Sequence, residues 1–230
     1  MLEVKELKPN IKVVSFKGEQ FVYKFMIKKD FQNTFETEVW NYRRLAGVAG
    51  VPVLRAVVKK EGLIQGILIT HIEGPDLWQA VADNVFTDES ALLDITYKII
   101  RIAANLETHN FYHEDLKCSN IIWNRSTGDI YFIDLAGGLT SGMYREERSS
   151  SIAFNGPNAC DALFTLGRTL WELWAGRSPW ESAPLDEVSN GTVREIIKEC
   201  EEGLVGSIAE LSKKFIGSVA AGNNSVEEGL

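Results

Sequence analysis

Cysteine and long hydrophobic runs are both scarce in this sequence. The three cysteines, Cys118, Cys160 and Cys200, are scattered without the short spacing of a metal-binding pair. Disulfide scaffolds and zinc modules need regularly spaced cysteines, so reduced thiols are expected. The longest apolar runs, such as Leu63–Ile69, are far too short to cross a bilayer, and the N-terminus lacks the basic-then-apolar layout of a signal peptide. These absences predict a cytoplasmic or nuclear protein that does not contact a membrane.

Positive charge is also in deficit. The chain has 24 Lys and Arg against 32 Asp and Glu, which gives a net charge of −8. No basic stripe offsets this balance, so a nucleic-acid backbone is excluded as the expected partner. Apolar residues make up 45% of the 230 residues, enough to fill the core of one domain. We expect an ordinary soluble enzyme that is a monomer.

Hydrophobic periodicity predicts a mixed α+β fold. Strands are indicated at Leu2–Leu7, Ile11–Phe16, Phe21–Met26, Val53–Lys59, Leu63–Thr70, Ile121–Trp123 and Ile130–Ile133. Helices are indicated at Phe31–Ala46, Leu77–Ala82, Glu89–Asn110, in an apolar segment from Asp161 to Gly176, and at about Thr192–Glu202 and Leu204–Ala220. In the first helix one apolar face is formed by Phe35, Val39, Tyr42 and Leu45. Thr87 or Asp88 can cap the long helix that follows.

The most informative stretch is the loop that follows this long helix. His113-Glu114-Asp115-Leu116-Lys117-Cys118-Ser119-Asn120 carries a base, a cation and an amide, and the strand Ile130–Ile133 then ends in Asp134. Phosphoryl transfer needs such groups because it depends on positioning and charge neutralisation. A solvated loop would also account for polar residues here, but the order of the parts favours the catalytic interpretation.

These segments resemble the catalytic loop and the Asp-Phe-Gly segment of the eukaryotic protein-kinase fold. The resemblance extends from the first strand to about residue 180. Within the family, the chain resembles short kinase-like proteins from fungi. Glu114 stands where the family usually has Arg, and Leu135-Ala136 where it has Phe-Gly. The resemblance implies a small antiparallel β lobe with one helix (residues 1–70), a hinge (71–76), an abbreviated, mainly helical lobe (77–221) and a polar tail (222–230).

The resemblance also implies ATP and Mg²⁺ in the cleft and assigns a role to each site residue. Asp115 would accept the proton of the attacking hydroxyl, Lys117 would steady the transferred phosphoryl group, and Asn120 and Asp134 would hold the metal. Lys24 would clamp the α- and β-phosphates with Glu38 as its partner, and Glu36 is the alternative partner. The backbone of Thr70 and Ile72 would read the adenine, and Asp161 would bind the backbone of the catalytic loop.

Two departures from the family leave the function open. The first turn, Lys8-Pro9-Asn10, has none of the glycines that let backbone amides approach phosphates. Either Lys24 and the metal alone hold the phosphates, or ATP binds weakly or not at all. The predicted activation segment, Gly137–Asn158, lacks the family's Ala-Pro-Glu. A protein serine/threonine kinase with a hydroxyl-bearing protein substrate is the first hypothesis. A pseudokinase that acts as a binding module and a small-molecule kinase are the alternatives.

Overall fold

The computed structural model describes residues 3–26, 32–140, 159–178 and 184–227. This part of the chain contains a five-stranded antiparallel sheet and six α-helices, which confirms the predicted α+β class. By their contacts the residues form two units, Met1–Gly74 with Ile122–Gly138, and Pro75–Ile121 with Leu139–Leu230. Residues 122–138, which the sequence analysis assigned to the larger lobe, therefore group with the first unit. Most of the predicted activation segment lies outside the described residues.

The five-stranded sheet belongs to the first unit. Its strands are β1 (Glu3–Lys8), β2 (Ile11–Phe16), β3 (Glu19–Phe25), β4 (Leu54–Lys60) and β5 (Leu63–Thr70), in the order β1-β2-β3-β5-β4. Two-residue turns join β2 to β3 and β4 to β5. Lys17 and Gly18 in one turn, and Glu61 and Gly62 in the other, all have positive φ angles. This conformation matches the twist of paired strands, and the glycine adopts it without steric cost.

Helix α1 (Gln32–Arg44) contacts β4 and β5 through the face predicted from its periodicity. Phe35, Val39 and Tyr42 on this face are buried, as is Leu45 just beyond the helix. Burial of large apolar side chains of this kind is worth roughly 1.5–3 kcal/mol each. The helix is thus held in place by packing, and it fixes the position of its polar residue Glu38.

A second, two-stranded sheet pairs β7 (Ile121–Trp123) with β8 (Ile130–Phe132), on either side of the predicted polar turn. Ile130 and Phe132 are buried, and the Phe132 amide donates to the Gly50 carbonyl at 2.8 Å. The strand β8 leads directly to Asp134. This short sheet therefore sets where the Asp134 carboxylate lies.

Gly74 meets β7 at a position where no side chain fits. Its φ angle is +148°, and a Cβ atom there would lie 1.9 Å from the Trp123 carbonyl oxygen. We expect Gly74→Ala to lower the free energy of unfolding by at least ~2 kcal/mol, because the backbone must move to separate the added Cβ atom from the Trp123 carbonyl oxygen. The measurement is chemical denaturation. Gly18→Ala is the matched control, because its φ of +83° is also positive but nothing lies within 4 Å of the added Cβ; equal losses in the two variants would contradict the steric explanation.

The second unit is mainly helical. Its helices are α2 (Leu77–Ala82), α3 (Glu89–Thr108), α4 (Ala159–Ala175), α5 (Gly191–Glu202) and α6 (Ile208–Glu227), with β6 (Phe111–His113) paired to β9 (Gly138–Thr140). Asp88 caps α3, as predicted, by accepting the Ala91 amide at 2.7 Å. Helix α4 is buried along Leu163, Leu166, Leu170 and Trp171, which confirms the apolar helix inferred from the sequence.

The boundaries of the last helix differ from the prediction of Leu204–Ala220. Leu204 is 62% exposed and lies before the helix. The Ser207 hydroxyl caps the first turn of the helix by accepting a hydrogen bond from the Glu210 amide at 3.1 Å. The amides of Ile208 and Ala209 donate to the Glu107 carboxylate on α3. The helix starts where these acceptors are, and apolar periodicity alone could not reveal them.

Candidate active site

Lys24 is the centre of a charged cluster in the first unit. It lies on β3, and its Nζ donates to Glu38 Oε1 at 3.0 Å and to Asp134 Oδ1 at 2.7 Å. The Lys24 side chain is 16% exposed, Glu38 1% and Asp134 44%. Three predicted site residues, two of them 110 positions apart in sequence, are thus joined through one ammonium group.

Burial and neighbouring charges shift the pKa values of Lys24 and Glu38. Burial lowers the pKa of Lys24, but the carboxylates of Glu38 and Asp134 outweigh it, so the net pKa is raised. Burial raises the pKa of Glu38, the Lys24 charge opposes that shift, and the Asp134 charge adds to it. Removing one partner from such a buried pair leaves an uncompensated charge, which is more costly than losing the pair as a whole. Lys24 is therefore the charge that compensates the buried Glu38 carboxylate.

Asp134 has an unusual backbone conformation. Its φ angle is +61°, in the left-handed region that non-glycine residues rarely adopt. The next residue, Leu135, is fully buried, and its carbonyl accepts a hydrogen bond from Asn41 Nδ2 on α1 at 2.6 Å. Strained residues held by such surroundings concentrate at functional sites. The contact between α1 and the Asp134 segment thus aims the carboxylate at Lys24.

The other predicted residues of the first unit are placed less specifically. Glu36 is exposed, whereas Glu38 is buried against Lys24, so the structure distinguishes the two candidates for the ion pair. Thr70 is the last residue of β5, and its amide donates to the Val53 carbonyl. Ile72 follows two residues later and is half-buried. Adenine contacts by Thr70 and Ile72 stay predictions.

In the second unit Asp115, Lys117 and Asn120 form one hydrogen-bonded loop. Asn120 Nδ2 donates to the Asp115 carbonyl at 2.8 Å and to Asp115 Oδ2 at 3.0 Å. Lys117 Nζ donates to both Asp115 carboxylate oxygens, at 3.0 and 2.8 Å. Asp115 is nevertheless 55% exposed, while Asn120 is buried in a 3₁₀ turn. The loop thus presents an oriented carboxylate that a hydroxyl group in solution can reach.

Two residues of α4 anchor this loop, and sequence reasoning missed both. Glu172 Oε2 accepts the Cys118 amide at 2.7 Å, and Thr169 Oγ1 donates to the Leu116 carbonyl at 2.9 Å. Both anchors are buried, with 8% and 1% exposure. The sequence analysis gave this role to Asp161, whose side chain lies outside the described part of the chain. A carboxylate inside the apolar run Trp171-Glu172-Leu173 was the available signal.

Burial raises the pKa of Glu172, and the hydrogen bond from the Cys118 amide and the charge of Lys117 oppose that rise. Burial also raises the pKa of the Cys118 thiol well above its ordinary value, so the thiol stays protonated. Cys118 Sγ lies 3.7 Å from the Thr169 carbonyl. The thiol is therefore a packing group rather than a nucleophile.

The donor atoms of the two groups suit a hard cation. Carboxylate and amide oxygens, as in Asp134 and Asn120, are ligands that Mg²⁺ prefers, and Mg²⁺ is commonly held by one or two carboxylates plus substrate phosphates. Among the described residues no group of three or more His, Cys, Asp or Glu side chains could hold a metal ion. Asp134 in the first unit and Asn120 in the second therefore each carry an oxygen of the kind that Mg²⁺ prefers.

Comparisons with known proteins give no independent assignment. No family model matches the chain, and a search of the curated proteins found no match. In the described residues, no helix has both the length and the apolar character to cross a membrane.

Proposed function

We propose that the chain is an ATP-dependent phosphotransferase with a two-lobed, protein-kinase-like fold. It would transfer the γ-phosphoryl group of Mg-ATP to a hydroxyl group, and a serine or threonine of a protein is the first choice of acceptor. The observation that carries the proposal is the Lys24–Glu38–Asp134 cluster, with distances of 2.7–3.0 Å. A lysine on a strand, a glutamate on the adjacent helix and an aspartate after β8 are the pattern that phosphate binding with a metal would use.

Each residue has a defined task in this proposal. Lys24 would contact the α- and β-phosphates, and Glu38 would hold its ammonium group in place. Asp134 and Asn120 would hold Mg²⁺, which when bound supplies neutralisation of phosphate charge. The acceptor oxygen would form a bond to the γ-phosphorus while the bond between that phosphorus and the β–γ bridging oxygen breaks. ADP would leave with the electron pair, Asp115 would take the hydroxyl proton, and Lys117 would offset charge on the transferred group.

A pseudokinase is the second candidate, favoured by one observation. Pro9 and Asn10 form the tight turn between β1 and β2, where the family has glycines, and proline has no N–H to offer a phosphate. In that case the same residues would support a binding module without transfer. A small-molecule kinase differs in substrate alone. The test is incubation of radiolabelled ATP with generic proteins and with small hydroxyl compounds. Transfer to proteins supports a protein kinase, transfer to the small compounds supports a small-molecule kinase, and transfer to neither supports a pseudokinase.

Nucleotide binding is tested directly by thermal unfolding. We expect Mg-ATP at ten times its dissociation constant to stabilise the protein by about 1.4 kcal/mol, or roughly 3–6 °C in Tm, because the ligand binds only the native state. Lys24→Met should abolish most of this shift. Lys98→Met is the matched control, because Lys98 is 19% exposed, is ion-paired to Asp94 and lies on α3 of the second unit.

The outcomes discriminate between the candidates. A shift that requires Mg²⁺ and Lys24 supports the phosphate clamp. No shift and no calorimetric heat at millimolar nucleotide would exclude catalysis with ATP and favour the binding-module alternative. An equal loss of shift in Lys24→Met and Lys98→Met would indicate general destabilisation instead of a lost contact.

A further inference from the structure

A pocket of about 460 Å³ lies in the first unit, apart from the residues of the proposed reaction. It is formed by the end of α1 and the edge strand β4. The lining includes Arg43, Ala46, Val53, Leu54, Arg55 and Lys59. None of the site residues Lys24, Glu38, Thr70, Ile72 or Asp134 is among the lining residues. Any ligand of this pocket would therefore be additional to the nucleotide.

The charge of this pocket is entirely positive. Arg43, Arg55 and Lys59 line it, and the lining contains no acidic residue. Within the described ranges of the chain, no carboxylate forms an ion pair with any of the three. This is unusual for a protein with eight more acidic than basic side chains, 32 against 24. Like charges that share a pocket repel each other, and a bound anion would relieve that repulsion.

The geometry favours an oxyanion. Arg55 Nε donates to Thr70 Oγ1 at 3.2 Å, which holds one edge of its guanidinium group. Guanidinium groups pair with phosphate through two parallel hydrogen bonds, and an ammonium group such as that of Lys59 adds a point charge. The remaining wall is apolar, from Ala46, Leu54 and the 44%-exposed Val53. The pocket thus offers cations for an anionic group next to a surface for an apolar one.

An extended peptide added to the edge of the sheet is a poorer fit. The pairing of β4 with β5 is irregular at two places, between Leu54 and Ala56 and between Val58 and Lys59. Such bulges twist an edge strand and disfavour the addition of a further strand.

We propose that the pocket between α1 and β4 binds a phosphate monoester with an apolar substituent, either a free small molecule or a phosphorylated side chain.

The proposal is tested by NMR titration of the ¹⁵N-labelled full chain at constant ionic strength. Phenyl phosphate should shift the amide resonances of residues 42–46 and 53–59 and bind at least threefold more tightly than inorganic phosphate, because of the apolar wall. The double variant Arg43→Gln/Arg55→Gln should weaken binding at least tenfold. Lys60→Gln and Arg125→Gln, in the same unit but not lining the pocket, are the matched controls and should bind as the unmodified protein does.

Other outcomes would overturn the proposal. These are shifts spread over the surface, unchanged affinity in the double variant, or equal loss in the control variants. Lys59→Gln, which also removes a cation from the pocket, provides a second test if the double variant does not fold. Lys24→Met should leave the binding of phenyl phosphate unchanged. Loss of phenyl phosphate binding in this variant would assign the phosphate to the Lys24 cluster, and it would overturn the pocket proposal without affecting the proposed function. A phosphotyrosine peptide, whose ring is the apolar substituent, distinguishes the two sources: it should bind more tightly than phenyl phosphate if the ligand is a phosphorylated side chain, and more weakly if the ligand is a free small molecule.

Discussion

Asp115→Asn should lower the rate of phosphoryl transfer by about 10²–10⁴-fold while the Mg-ATP thermal shift is retained. The reason is that the Asp115 carboxylate would contact the acceptor hydroxyl and not the nucleotide, and removing a general base typically costs this much. Asparagine keeps an oxygen that can accept the Asn120 hydrogen bond, so the loop should stay intact. The measurement is transfer of radiolabelled phosphate under saturating nucleotide, with Tm recorded on the same samples.

Asp94→Asn is a close control for this experiment. Asp94 is 55% exposed, as Asp115 is, and it is also paired to a lysine, Lys98. The control variant should keep full activity. Full turnover in Asp115→Asn would show that the catalytic-loop assignment is wrong, whereas loss of the thermal shift along with the rate would show that Asp115 contributes to nucleotide binding.

Much of the local structure could be predicted from the sequence because it depends on patterns of neighbouring residues. The apolar spacing of α1 identified its buried face, and Asp88 was a recognisable cap. The pairing of Lys24 with Glu38 was implied by the resemblance to the protein-kinase fold and not by neighbouring residues, and the structure contains this ion pair. The spacing of apolar residues predicts which face of each helix or strand is buried, and the buried faces determine most of the packing.

The remaining features depend on contacts between distant parts of the chain. The prediction assigned Asp134 to a metal, and the structure pairs its carboxylate with Lys24, 110 residues away. The left-handed backbone at Asp134 is imposed by its surroundings, including the contact of Asn41 with Leu135. No periodic pattern encodes these features, because they are set by contacts with distant residues. Glu172 differs, because a carboxylate inside the apolar run Trp171-Glu172-Leu173 was a signal in the sequence, although its partner Cys118 was not.

Glu172→Leu should lower the transfer rate by about 10²-fold, because it removes the acceptor that holds the backbone of Cys118 in the catalytic loop. The buried Cys118 amide would then lack a partner, at a cost of about 1–3 kcal/mol in the free energy of unfolding. Glu172 acts through the loop and would not contact the substrate. The rate constant at saturation should therefore fall while the Mg-ATP thermal shift is retained.

Glu172→Gln separates the loss of the acceptor from the loss of charge. Glutamine keeps a carbonyl for the Cys118 amide, so the rate should stay within about threefold of the original. Because burial raises the native pKa of Glu172 above its ordinary 4.5, the native state binds the proton more tightly than the unfolded chain does. The contribution of this group to stability is thus complete below pH 4.5 and declines as the pH rises through the native pKa. Glu172→Gln should abolish that decline and be at least as stable at neutral pH.

Glu199→Leu is the matched control for these variants, since Glu199 is also 8% exposed in a helix of the same unit but binds Lys214. It should be destabilised without a change in transfer rate at temperatures where it is folded. Hydrogen exchange provides a readout that does not depend on catalysis. The Cys118 amide should lose protection relative to its neighbours in Glu172→Leu and keep it in Glu172→Gln and Glu199→Leu. Equal rates in the leucine and glutamine variants of Glu172, or unchanged Cys118 exchange in Glu172→Leu, would show that this carboxylate supports α4 packing instead of the position of the loop.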